Sequence, residues 1–160
     1  MAGTSERVLL KNGFVPAHYG ISIEPDLTRF TFDGSVTVRG EVRESTNKVI
    51  LHAKELLVSS ASFLTGDKTV NAIHVNLNLK ATTVELVFPE ALPVGPAVLK
   101  VSFVGQLNNQ MAGFYRSSYT DINGNKKIMA STQFEPIDAR RAFPCVDEPA
   151  AKVCDKMCRM

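Results

Sequence analysis

The chain has 160 residues, 44% of them hydrophobic and 21% charged, and its 18 basic and 16 acidic side chains leave a formal net charge of +2. That balance excludes intrinsic disorder, which needs low hydrophobicity and high net charge, and with no cluster of Lys or Arg it gives no electrostatic case for nucleic acid or a membrane surface. The length fits one ordinary domain with a real core. The most apolar region, Phe88 to Leu107, is interrupted by Pro89, Pro93, Pro96 and Lys100, whereas a spanning helix needs ~18 or more apolar residues in a row.

The opening residues MAGTSERVLLKNG hold only Val8, Leu9 and Leu10 as an apolar run, so no secretory leader is expected. Three cysteines, Cys145, Cys154 and Cys158, crowd the C-terminal end. An odd number in that arrangement is not a disulfide framework, and a reducing, cytoplasmic setting is the economical expectation. Cys154 and Cys158 offer two thiolates, but a structural zinc site wants four ligands and no histidine completes the spacing. Free thiols, and no metal bound by this chain, are expected.

In chain order the dominant period is two. Tyr19, Ile21 and Ile23 alternate before Pro25. Phe30, Phe32, Val36, Val38 and Val42 then alternate with polar residues, which predicts one long half-buried strand. Gly34 and Gly40 fall in its inward register, where a missing side chain signals a bulge or a close approach. Asp33-Gly34 is also compatible with a hairpin turn, but the alternation runs unbroken across it. Ile73, Val75, Leu77 and Leu79 follow, then Val84, Leu86 and Phe88, then Leu99, Val101 and Phe103. Gly66-Asp67 and Pro93-Val94-Gly95-Pro96 mark turns, and Asn123-Gly124-Asn125 joins Gly113–Tyr119 to Lys126–Gln133 as a hairpin. Many short strands at this spacing predict an all-β fold, a saddle-like antiparallel β-sandwich.

One segment breaks the rhythm. Pro136 to Phe143 has good helix formers, a proline first, an acid early and bases late, and Pro144 forbids much extension, so a single helical turn or two is predicted. It lies within QFEPIDARRAFPCVDEP, residues 133–149, a stretch dense in charge, rings and prolines. For most of its residues the expectation is a structural corner, with Asp147 and Glu148 satisfying backbone donors or pairing with Arg140 and Arg141. Glu135 is the exception. A carboxylate immediately before a helix start is held ionised by the helix dipole, and at a cleft edge it can grip an ammonium group.

No complete active site is encoded. His18, His52 and His74 are scattered, and His52-Ala53-Lys54-Glu55 has the wrong order for the His-Glu-x-x-His zinc motif. His52 and His74 read as ordinary strand histidines. There is no Gly-x-Ser-x-Gly, phosphate loop or dinucleotide fingerprint.

GFYRSSY and STQFEPIDARRAFPCVDEPAAK closely resemble the N-terminal domain of the gluzincin-type zinc aminopeptidases, the aminopeptidase N and puromycin-sensitive aminopeptidase family. VPAHYGISIEPDLTRFTFDGSVTVRGEV and KVILHAKEL are similar to that domain's opening strands. The resemblance covers residues 9–152. It implies a β domain that packs on a thermolysin-like catalytic domain, in an enzyme that removes single residues from peptide N-termini. It implies that Glu135 binds the substrate's free α-amino group and that Gln133 lines the pocket for the first side chain. The zinc of the full-length family enzymes is held by a His-Glu-x-x-His segment that this chain lacks, so no catalytic residue, no metal and no activity are expected of the chain alone. The expected partners are peptide N-termini and the catalytic domain of the same enzyme. Residues 1–152 are expected to form the domain, incomplete at its last strands and therefore exposing edges. Residues 153–160, which have no period-two pattern, read as a divergent tail. A non-catalytic β-sandwich that binds peptides or a protein partner is the alternative.

Overall fold

The computed structural model of the chain describes residues 10, 13–149, 151 and 154–155. Eleven strands and one short 3-10 turn make up its regular structure. A six-stranded sheet runs in the order β11-β1-β2-β8-β4-β5, comprising Cys154–Asp155, Phe14–Asp26, Thr31–Val42, Gly95–Gln106, Leu56–Thr65 and Lys68–Asn71. A three-stranded sheet has the order β3-β7-β6, comprising Thr46–His52, Thr83–Leu92 and His74–Asn78, and β9 (Gly113–Thr120) pairs with β10 (Lys126–Gln133) as a separate hairpin. All pairings are antiparallel except β1 with β11. The fold is the expected all-β sandwich.

The alternation in the sequence places the core. On β2, Phe32, Val36, Val38 and Val42 are buried, and on β8 so are Ala97, Leu99, Val101 and Phe103. On β4 the inward register changes from Leu56 and Val58 to Ala61 and Phe63 across a bulge between Val58 and Ser60, because one extra residue flips every following side chain to the other face. The smaller sheet contributes Val49, Leu51, Val84, Leu86, Phe88 and Leu92 to the same buried cluster. Phe63 and Phe88 meet edge to face across the two sheets with ring centroids 5.6 Å apart.

Asp33-Gly34 lies inside the unbroken strand β2, not at a turn. Gly34 pairs with Phe103 and Gly105 pairs with Phe32, and each ring lies over the glycine opposite, so that a Cβ at either position would strike it. Gly40 faces the bulge between Pro16 and His18 on β1, where a Cβ would meet the Val15 carbonyl and the Phe14 ring. Gly66, Gly95 and Gly124 carry positive φ at the three predicted turns.

Two expectations are met in modified form. The apolar register of Ile73 to Leu79 does form a strand, but its side chains stay largely outside the core, with Leu77 41% and Leu79 84% exposed. β6 is an edge strand, and only Val75 packs partly against the buried cluster. The single helical turn predicted within Pro136–Phe143 is present as a 3-10 turn at Ala139–Arg141. Of the tail, Cys154 and Asp155 form a two-residue strand beside His18 and Tyr19; the Cys154 side chain and Cys158 lie outside the described residues. Among the described residues no helix is long and apolar enough to cross a membrane.

Gly34→Ala is expected to lower stability by about 1–3 kcal/mol, since the Phe103 ring must give way. Gly20→Ala, whose Cβ would meet nothing closer than 3.8 Å, should stay within about 0.5 kcal/mol of the parent. Urea denaturation of the two variants checks the contrast.

Candidate functional site

Residues 133–148 run from the end of β10 back across the sandwich, and the turn between β3 and β4 receives them. His52 and Cys145 exchange both backbone hydrogen bonds, at 2.8 and 3.1 Å, and the Lys54 N–H donates to the Arg140 carbonyl at 2.8 Å. The Asp147 N–H donates to Nδ1 of His52 at 3.1 Å, which places the ring proton on Nε2. From β1, the Tyr19 hydroxyl accepts the Val146 N–H at 3.0 Å. The rings of Phe134, Phe143 and Tyr19 follow one another at 6.0 and 6.1 Å and fill the space beneath.

The two adjacent arginines point to different partners. Arg140 Nε donates to Asp147 Oδ2 at 2.9 Å, one terminal nitrogen donates to the Asp147 carbonyl at 3.0 Å, and the other donates to the Thr82 hydroxyl at 3.0 Å. Arg141 Nε donates to Asp138 Oδ1 at 2.9 Å and its NH1 pairs with Glu55. Both side chains are about nine-tenths buried, at 11% and 10% exposure. Removing one partner of such a pair leaves a stranded charge and costs about 3–5 kcal/mol. Thr82 and Glu55 both have positive φ, 53° and 60°, a conformation that costs a non-glycine residue about 1–3 kcal/mol. Each delivers its side chain to one of the arginines.

These pairings flank a short helical turn. The Phe134 carbonyl accepts the Asp138 N–H at 2.8 Å, which closes a single turn over Glu135, Pro136 and Ile137. The next bonds run from the Arg141 N–H to the Asp138 carbonyl and from the Ala142 and Phe143 N–H groups to the Ala139 carbonyl, and the Glu135–Pro136 peptide is cis. The residue before the 3-10 turn is Asp138, not Glu135, so the helix-dipole account of Glu135 is withdrawn.

Gln133 and Glu135 are both exposed. Gln133 ends β10 opposite Gly113. Among the described residues Glu135 has no ion-pair partner, while the other charged residues of the block are engaged: Asp138 with Arg141, Arg140 with Asp147, and Glu148 with the Leu10 N–H at 2.7 Å. Asp147 meets Arg140 as predicted; Arg141 instead takes Asp138 and Glu55. Ile137, 47% exposed, adds apolar surface beside the carboxylate. A depression of about 490 Å³ at the β6 edge, lined in part by Leu77, Leu79 and Glu85, includes neither Gln133 nor Glu135.

Sequence reasoning missed the part played by His52-Ala53-Lys54-Glu55. The segment reads as strand and lacks the zinc motif, yet it seats the whole block. Its partners lie about ninety residues on, so no local spacing reveals them. Among the described residues no three or more His, Cys, Asp or Glu are grouped to hold a metal ion, so these residues do not fit a zinc site.

Comparison with known proteins places residues 15–156 in the family model described as the Peptidase M1 N-terminal domain. The chain is 45% identical over 151 residues to the alanine/arginine aminopeptidase of Saccharomyces cerevisiae, covering 91% of this chain and 17% of that protein. It is 44% identical over 147 residues to aminopeptidase M1 of Arabidopsis thaliana, 89% of this chain and 17% of that protein. It is 40% identical over 139 residues to the puromycin-sensitive aminopeptidase of Caenorhabditis elegans, 86% and 15% respectively. The chain thus spans about one sixth of the length of these curated relatives.

Burial lowers the pKa of His52 from its ordinary 6.5, with the Arg140 charge acting in the same sense against Glu148 and Asp147. The unfolded chain therefore takes up this proton at higher pH than the folded one. Stability is full above pH 6.5 and is lost as the pH falls from there through the folded pKa, by at most about 1.4 kcal/mol per pH unit. His52→Asn, which retains an acceptor for the Asp147 N–H but does not titrate, is expected to flatten the urea midpoint between roughly pH 7.5 and 5.5. An unchanged pH profile in that variant would show that another group is responsible.

Proposed function

The chain belongs to the Peptidase M1 N-terminal domain family, and on that premise we propose that it is the substrate-anchoring domain of a zinc aminopeptidase. In this reading Glu135 grips the free α-ammonium of a peptide and Gln133 borders the space for the first side chain. The observation that carries it is the contrast within one block: the neighbouring charges are tied down, and Glu135 stands exposed without a cation of its own among the described residues. A charge-assisted hydrogen bond from an ammonium to a carboxylate is about twice as strong as a neutral one. An internal peptide bond brings no charge to that point and would desolvate the carboxylate without compensation, at about 1–3 kcal/mol or more. Such an anchor therefore selects chain ends.

In this reading the catalytic zinc and its ligands belong to the catalytic domain of the complete enzyme, which is also the partner of this domain. Zinc there would polarise the scissile carbonyl and activate water; the residues of this chain bind and orient the peptide end. The odd number of cysteines, crowded at the C-terminal end of the sequence, supports a reducing, cytoplasmic setting for the enzyme.

Titration of the chain with a free-amine tripeptide and with its N-acetylated form tests the anchor. Glu135→Gln should weaken the free-amine peptide by about tenfold or more, as loss of one charged hydrogen bond requires, and leave the acetylated peptide unchanged. Equal effects on both peptides would reject the ammonium role. In a fluorogenic aminoacyl assay the chain should show no turnover with added zinc, and chelator-sensitive turnover would contradict that expectation.

A further inference from the structure

The two residues of the proposed anchor are joined by a closed ring of contacts that passes through one buried side chain. Gln133 is held in the hairpin ladder opposite Gly113. Gly113 has φ of +72°, and the space where its Cβ would stand is occupied by Cβ of Arg141, with the Asp138 carbonyl 3.1 Å from the same point. Arg141 pairs through Nε with Asp138 at 2.9 Å. The Asp138 N–H then closes the turn onto the Phe134 carbonyl at 2.8 Å, and Phe134 lies between Gln133 and Glu135. The circuit returns to its start. Glu55, with φ of +60°, reaches in from the β3–β4 turn to take the other arm of Arg141 and ties the ring to the sandwich.

We infer that Arg141 is a positioning residue: together with Asp138 and Glu55 it fixes the separation and orientation of Gln133 and Glu135. Rigid placement matters here because neither anchor residue is confined by burial. A displacement of about 1 Å in a group that orients a substrate is enough to cost on the order of a hundredfold in rate. A planar guanidinium with two fixed arms suits this task, whereas an ammonium is a single point charge on a flexible stem. Arg140, with its different partners Asp147 and Thr82, fastens the block as a whole and does not take part in the ring.

The inference rests on the anchoring role proposed for Glu135 and Gln133, and its test has two readouts that fail separately. The first needs no ligand. In the full chain, backbone 15N order parameters at Gln133 and Glu135 should be near ~0.85, as for rigid backbone, and in Arg141→Lys should fall below ~0.6 while β2 and β8 stay rigid. Asp138→Asn, which preserves side-chain size, should give the same local loosening. The second readout is titration with the free-amine tripeptide, where Arg141→Lys should cost about tenfold and Arg140→Lys markedly less. Unchanged order parameters at Gln133 and Glu135 overturn the inference even if Glu135→Gln still abolishes binding. Collapse of the whole spectrum in both Arg141→Lys and Asp138→Asn also overturns it, because Arg141 is then a requirement of the fold. Loosening at Gln133 and Glu135 with no response of the peptide titration to Glu135→Gln supports the positioning geometry and rejects the anchoring role alone.

Discussion

Two neighbouring guanidinium groups, turned to separate sets of acids, hold residues 133–148 against the sandwich. Arg140 reaches Asp147 and Thr82, and Arg141 reaches Asp138 and Glu55. Because both side chains are nearly buried, each pair commits its partners completely, and a charge left alone there would be costly. That constraint shapes the rest of the block. The block's helical turn is a short 3-10 turn, two of the arginines' partners, Glu55 and Thr82, lie in left-handed backbone, and Glu135 is left as the exposed carboxylate of the segment.

The sandwich beneath supplies the seat. The turn after β3 offers His52, Lys54 and Glu55 in four residues, and each meets a different part of the block. A histidine buried and neutral serves here as an acceptor for a backbone N–H, which is why protonation and this contact exclude each other. At the tip of the β9–β10 hairpin the Asn125 N–H, with help from its side-chain amide and the Asn123 N–H, holds the Asp121 carboxyl below its usual range against desolvation.

The strands were legible because burial on one face imposes period two, and the long run from Phe32 to Val42 carries it without interruption. The hairpin of Gly113 to Gln133 was legible from Asn123-Gly124-Asn125, whose turn needs the positive φ found at Gly124. Two features were not. Whether an apolar strand face is covered depends on its place in the sheet, and β6 sits at an edge. The helical turn within Pro136–Phe143 was legible, but its arginine pairings were not, since Arg141 finds Glu55 eighty-six positions away. Of the site, Glu135 was legible as a charge beside a structural corner, and it is exposed, but the dipole reason given for it fails because Asp138 precedes the 3-10 turn. The seat formed by His52 to Glu55 was not legible, because its meaning lies entirely in residues distant in sequence.

The most direct measurement is a crystal structure of the chain with a short free-amine peptide. The expected result is the peptide's ammonium about 2.7–2.9 Å from a Glu135 carboxylate oxygen, beside Gln133, with the Arg140–Asp147 and Arg141–Asp138 pairs intact. A peptide seated elsewhere, or Glu135 drawn away from it onto an arginine of the block, would contradict the central claim.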